Sequence, residues 1–305
     1  MTIAIGLLCN EGLVVAADTE EVLGGYIKTS TEKMRVMERE GYKLTITGAG
    51  ESDFIGCFCD ELEEALDENE PKDIKAIYKV LRATQLQYFR NHLAPYSSFP
   101  SDDRPNPDLL IGLHIKVGGP VIGSTLFRTV LFKANGTVVK RIHKAECVGT
   151  GVVLARSLMD QFFDPELNLT QTGILAAFIL RQAKRWAQYC GGNSDIAIMS
   201  NSEKETSGID TETIKSLERH FDEFAVSLKP VLINCADINF SPALFKKVLL
   251  KFQSDMDVQH IKFLNDIIAR NIGGRVAETL GRRSPKSARP TKSPRRKPRA
   301  NENEP

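Results

Sequence analysis

The chain opens on two short apolar runs, residues 3–9 and 13–17 (Leu13-Val14-Val15-Ala16-Ala17), separated by Asn10-Glu11-Gly12. Runs of this length bounded by turn residues predict two strands, and Gly12 tolerates the positive φ that a tight hairpin needs. Asp18 ends the second run. A further strand pair is expected around residues 25–27 and 34–37, and Tyr42-Lys43-Leu44-Thr45-Ile46-Thr47 alternates apolar and polar positions before the small-residue turn Gly48-Ala49-Gly50. Beyond that turn the spacing changes to three and four. Phe54, Ile55, Phe58, Leu62, Ala65 and Leu66 predict a helix capped by Ser52 or Asp53. A second helix is expected over residues 72–93, its stripe of Ile74, Ile77, Tyr78, Leu81, Tyr88 and Phe89 interrupted only by Gln85.

A Pro-, Asp- and Ser-rich loop over 95–108 marks a break. Strands are then expected over 109–117, 121–134 and 138–148, with Asn135-Gly136 as a tight hairpin turn between the last two. Helices over 152–163 and 170–189 precede a short strand at 195–199. Helices grouped in pairs between hairpin-linked strands predict an α+β fold, a four-layer αββα sandwich of two antiparallel sheets with helices outside. After residue 200 the pattern turns helical, over 211–228, 242–252 and 258–272. The expected organisation is one domain over 2–205, a helical C-terminal extension over 206–280 and a basic Pro-rich disordered tail over 281–305.

Composition changes this picture little: 305 residues, 42% hydrophobic and 26% charged, suit a soluble protein with a sizeable core. No apolar stretch approaches the roughly 20 residues of a membrane helix, and the N-terminus lacks a basic leader and a cleavage site. No membrane association and a cytoplasmic location are expected. The six cysteines are scattered without metal-ligand spacing and the five histidines are dispersed, so no metal and no cofactor is expected. Charge is uneven. The last 25 residues carry nine Lys or Arg and two Glu, a net +7, on a body of about −6. Such a tail can make weak polyanion contacts, but it has no aromatic residues for stacking on bases.

The candidate chemistry lies at the start. Methionine is normally trimmed before a small second residue, so the mature chain is expected to begin at Thr2, with a free amine beside its hydroxyl. An N-terminal threonine is a nucleophile with its own base attached. Its α-amine has an unperturbed pKa of roughly 7.7–8.0, so part of the population is unprotonated near neutral pH and can accept the hydroxyl proton.

With the sandwich and Thr2 together, the chain resembles the N-terminal-nucleophile (Ntn) hydrolases, specifically proteasome β-type subunits and their bacterial relatives. The resemblance covers roughly residues 2–200 and rests on three features. These are the block from Thr2 through Leu13-Val14-Val15-Ala16-Ala17-Asp18-Thr19; Lys33 in Thr31-Glu32-Lys33-Met34, one residue closer to Asp18 than usual; and the glycine turns Gly48-Ala49-Gly50 and Gly149-Thr150-Gly151, each opening a helix. Taken singly, a strand-ending aspartate, an edge lysine and a turn glycine have ordinary structural uses.

The resemblance implies a threonine-type endopeptidase. Thr2 is the nucleophile, Lys33 lowers the pKa of its hydroxyl, Asp18 orients and compensates Lys33, the Gly50 N–H is an oxyanion donor and Thr150 is a hydroxyl near the amine. It further implies a polypeptide substrate, self-assembly into a ring or related homo-oligomer and an ATP-dependent unfoldase partner. The chain also departs from the pattern. Ala187 and Cys190 stand where active members carry an aspartate and a serine, and Thr19-Glu20-Glu21 lacks the usual central arginine. These departures motivate the alternative of a catalytically inactive, proteasome-like structural subunit or scaffold.

Overall fold

The computed structural model describes residues 2–23, 27–100, 104–118, 125–202 and 206–281. Met1, part of the strand expected at 25–27, the start of that expected at 121–134 and the tail from 282 lie outside them.

In chain order the strands are β1 (Ile3–Cys9), β2 (Gly12–Asp18), β3 (Glu20–Leu23), β4 (Ile27–Ser30), β5 (Met34–Arg39) and β6 (Tyr42–Ala49). Helices α1 (Ser52–Asn69) and α2 (Ile74–Tyr88) follow, then β7 (Asp108–Gly118), β8 (Thr125–Asn135), β9 (Val138–Ile142) and β10 (Ala145–Gly149). The chain continues through α3 (Val152–Phe162), α4 (Leu169–Trp186), β11 (Ser194–Ser200), β12 (Thr206–Gly208), α5 (Thr211–Cys235) and α6 (Pro242–Gly281). Two five-stranded antiparallel sheets result, ordered β10-β1-β2-β11-β12 and β5-β6-β7-β8-β9, with β3 and β4 forming a separate hairpin.

Strands β1 and β2 read as continuous apolar runs because both of their faces are buried. Successive side chains of a strand point to opposite faces. Leu13 and Val15 accordingly join Met199 of β11 and Leu131 and Ile142 of the other sheet, whereas Val14 and Ala16 pack with Ile179, Leu180 and Ala183 of α4. A third apolar cluster joins Phe58, Leu62 and Leu81 of α1 and α2 to Leu44, Ile111 and Phe132 of the β5–β9 sheet. At one end a smaller cluster, Ala4, Ala17, Ala49, Leu110 and Val148, joins strands of the two sheets. That end carries the candidate site.

Several helix expectations shift for local reasons. The residue flanking α1 is Glu51, which makes no side-chain cap, and Ser52 and Asp53 lie inside the helix. Gln85, the interruption in the stripe of α2, is buried and donates through Nε2 to the Gly136 carbonyl at 2.7 Å, so it joins the helix to the β8–β9 turn. Helix α4 starts with a capping box between Asn168 and Gln171. Trp186 ends that helix 68% exposed, with the Arg185 guanidinium 5.1 Å from its ring centre. The two helices expected at 242–252 and 258–272 are one, because residues 253–257 contain neither Pro nor Gly to stop it.

Two compact units divide the chain after Phe263. Within the first, α5 is integral to the packing of α4: Ile214 and Leu217 are buried in the same cluster as Ile179 and Leu180. The Lys184 ammonium is hydrogen-bonded to the Glu218 carboxylate, with 5% and 12% of these side chains exposed. In the second unit, residues 264–281 are helical. No helix among the described residues is long and apolar enough to cross a membrane.

Candidate active site

The register of the first sheet gathers the predicted residues. Ile3 pairs with Gly149, Ala4 with Ala17 and Asp18 with Ser194, so Thr2, Asp18 and the 149–151 turn share one end of the sheet. Thr2 is fixed there through its carbonyl, which accepts from the Thr150 N–H at 2.9 Å and from the Thr150 hydroxyl at 3.3 Å. Gly149 has φ +107°, and a Cβ on it would lie 2.8 Å from the Thr2 carbonyl carbon. Only glycine suits that backbone at that distance.

Asp18 is fully buried and saturated with donors. Its Oδ1 accepts from the Thr2 hydroxyl, from the Ile3 N–H at 3.1 Å and from Lys33 Nζ at 3.1 Å; its Oδ2 accepts from the Gly191 N–H at 2.8 Å. Lys33 reaches in from the segment between β4 and β5. Its Nζ lies 2.5 Å from Thr2 Oγ1 and also donates to the Glu20 carbonyl. The shorter spacing between Asp18 and Lys33 therefore does not keep the two apart. With 12% of the Lys33 side chain and none of Asp18 exposed, the charges are little screened by water. A cation within hydrogen-bond reach of a hydroxyl favours its ionised form.

Gly50 follows β6 with φ +122°, where a Cβ would come within 2.9 Å of Pro107 Cα. It borders a cavity of about 180 Å³ whose wall also includes Thr2, Glu21, Lys33, Ile46 and Cys59. Gly48 lies on this wall too. Its bareness is required by β7, since a Cβ there would sit 2.6 Å from the Asp108 carbonyl.

The structure thus brings Thr2, Asp18, Lys33 and Thr150 into one hydrogen-bonded group and sets Gly50 on the same cavity as Thr2. Thr150 contacts Cys190 as well, at 3.6 Å between oxygen and sulfur, and burial pushes the Cys190 thiol pKa up. Ala187 flanks the end of α4 and packs on that helix's apolar cluster. Sequence reasoning assigned no role to the backbone N–H groups of Ile3 and Gly191 or to the Glu20 carbonyl. The adjacent glycines at 191 and 192 were the one signal, since a backbone N–H that must approach a buried carboxylate favours a bare residue. Among the described residues no group of three or more His, Cys, Asp or Glu is placed to hold a metal.

No protein-family model matches the chain, and no curated protein matches it. Solved structures do. Anbu (ancestral beta-subunit) from Yersinia bercovieri superposes with a TM-score of 0.60 at 16% identity, over 75% of this chain and 96% of that one. A Gly-1 mutant of Anbu from Hyphomicrobium sp. strain MC1 gives a TM-score of 0.58 at 16% identity, over 73% and 94%. Another structure of that Anbu gives 0.55 at 16%, over 72% and 94%. The chain has the mixed α/β fold of these proteins.

Proposed function

We propose that this chain is a proteasome-like Ntn hydrolase, a threonine-type endopeptidase whose nucleophile is Thr2. The observation that carries the reading is the convergence of Thr2 Oγ1, Asp18 Oδ1 and Lys33 Nζ, from three separate segments, within single hydrogen bonds of one another. A surface threonine or a structural ion pair has no need of such a group.

In this reading Met1 is removed and the Thr2 α-amine takes the proton of its own hydroxyl, while Lys33 stabilises the developing oxyanion on Oγ1. Oγ1 attacks the scissile carbonyl, and the Gly50 N–H donates to the tetrahedral oxyanion. Collapse breaks the C–N bond. The proton held by the α-amine passes to the leaving amine, which departs, and the acyl group remains as an ester on Thr2. Water, deprotonated by the α-amine, then hydrolyses that ester and returns the hydroxyl. Asp18 fixes Lys33, and Thr150 holds the Thr2 carbonyl in place.

The packing of two sheets between helix pairs supports the four-layer αββα sandwich of this family. Residues 2–205 are proposed as the body of its catalytic domain, to which the start of the expected 206–280 extension adds the edge strand β12 and the packed helix α5. The remainder of 206–280 is proposed as a helical extension and 281–305 as a basic tail available for weak polyanion contact. The proposed setting is a cytoplasmic homo-oligomer, a ring or its relative, acting on polypeptide delivered by an ATP-dependent unfoldase. Ala187 and Cys190 favour a second reading, an inactive scaffold subunit. One experiment separates the two: the purified protein and its Thr2→Ala variant are incubated with an unfolded polypeptide. Turnover by the first alone supports the peptidase, whereas equal rates mean that Thr2 is not the nucleophile.

A further inference from the structure

The cavity beside Thr2 has an uneven charge pattern. Four ionisable side chains other than the Cys59 thiol line it: Glu21, Glu32, Lys33 and Arg35. Both cations are committed elsewhere. Lys33 is bound to Asp18 and the Glu20 carbonyl, and the Arg35 guanidinium is spent on Asp60 at 2.6 Å and Glu63 at 3.0 Å. Neither acid has an ion-pair partner among the described residues. Glu21 is held instead by neutral hydroxyls: Thr31 Oγ1 donates to its Oε2 at 2.6 Å, and the Ser52 hydroxyl also supports it. These donors favour the carboxylate form and lower its pKa. The rest of the wall is apolar or bare, with Ile46, Ile55 and Gly56 beside the buried Cys59, whose thiol is pushed up to about 12 by burial and stays neutral.

A pocket with apolar sides and a fixed carboxylate that makes no ion pair, although the nearby Lys33 charge also favours its ionised form, matches one kind of side chain: a long aliphatic stem ending in a positive charge. From this arrangement we infer that Glu21 is a specificity-determining residue and that the cavity takes the Lys or Arg side chain on the acyl side of the bond to be cut. The inference rests on the reading of Thr2 as the nucleophile, because the side chain entering a cavity that borders the nucleophile belongs to the residue being acylated. Glu32, at the exposed rim, adds to the attraction without fixing a position. An acidic side chain is rejected, since it would face two carboxylates with no free cation to receive it.

The test uses peptide amides identical except for a C-terminal Arg, Leu or Glu, with binding to the Thr2→Ala protein measured by calorimetry and turnover measured on the unaltered protein. The Arg peptide is expected to bind about tenfold or more tightly than the Leu peptide, with the Glu peptide weakest. Glu21→Gln in the Thr2→Ala background should collapse the Arg-to-Leu ratio toward one. That variant is isosteric, and an unchanged melting temperature checks its fold; Glu21→Lys should invert the order in favour of the Glu peptide. Equal affinity for Arg and Leu, or a ratio that survives Glu21→Gln, overturns the inference. The two readings fail separately. Selective Arg binding without turnover by the unaltered protein removes the peptidase and keeps the pocket, whereas turnover indifferent to the side chain keeps the peptidase and removes the pocket.

Discussion

Lys33 Nζ lies 2.5 Å from Thr2 Oγ1 and 3.1 Å from Asp18 Oδ1, so one largely enclosed ammonium joins the hydroxyl to the carboxylate. The charge is held where a threonine oxyanion would form, and water has little part in screening it. If this relationship drives the chemistry, Lys33→Met should lower turnover by about 10²–10⁴-fold, the range for losing a positioned charge or proton-transfer group. It should also destabilise the fold, because Asp18 keeps only neutral donors. Asp18→Asn retains an acceptor for Thr2 and should lose activity with a smaller change in melting temperature. Turnover by either variant within threefold of the parent contradicts the assignment.

Gly149 sets the position of Thr2 without touching the reaction. Gly149→Ala puts a side chain at φ +107° and against the Thr2 carbonyl. Strain of this kind costs about 1–3 kcal/mol, and relieving the contact requires the Thr2 carbonyl or the 149–151 turn that holds it to shift. A variant that still folds, by circular dichroism, should therefore lose far more turnover than stability. Parent-like kinetics would show that the placement of Thr2 tolerates movement.

The ion pair between Lys184 and Glu218 fastens α5 to α4 close to the site. Lys184 also donates to the Gly192 carbonyl at 3.2 Å, one residue from the N–H that binds Asp18, and the buried Ser194 hydroxyl donates to Glu218 at 3.1 Å. Glu218→Ala leaves a buried ammonium without its partner. Denaturant unfolding should show a loss on the order of 3–5 kcal/mol. A loss under 1 kcal/mol would mean that α5 contributes little to this end of the molecule.

The cysteines give a chemical check on the core. Burial pushes Cys59 up to about 12 and Cys147 up to about 11, and raises Cys190. A raised thiol pKa favours the neutral form, so the thiolate that attacks an alkylating agent is scarce until the pH approaches those values. Iodoacetamide at pH 8 should modify the exposed Cys57 and Cys235 and spare the buried Cys9, Cys59, Cys147 and Cys190 until the protein unfolds. Mass spectrometry of the alkylated native protein reads this directly. Rapid labelling of Cys147 would contradict the packing of β10 against α3.

Much of the arrangement was legible because strand and helix periodicities differ and because turn residues punctuate them. The hairpin at Asn10-Glu11-Gly12 and the alternation of β6 are open to this reading, although Gly12 keeps a negative φ and is bare because β11 leaves no room for a Cβ. Thr2, Asp18, Lys33 and Thr150 are legible through the family resemblance instead. What escaped was of two kinds. Backbone groups carry no sequence label, so the Ile3 and Gly191 N–H groups and the Glu20 carbonyl could not be read. Nor does periodicity say which partner covers a face: Trp186 ends the apolar helix α4 exposed, while Gln85, an interruption in the stripe of α2, is a buried tie. Glu21 belongs to the departure at 19–21, but its exposure to the Thr2 cavity depends on the β3–β4 hairpin, whose position no local pattern encodes.

The central claim is that Thr2 is an N-terminal nucleophile, and the most direct measurement is the intact mass of the protein before and after treatment with an electrophile selective for N-terminal threonine. The account predicts a chain lacking Met1 that gains one adduct, mapped to Thr2, and no adduct on Thr2→Ala. A mature chain that retains Met1, or an exposed Thr2 that stays unmodified, would contradict it.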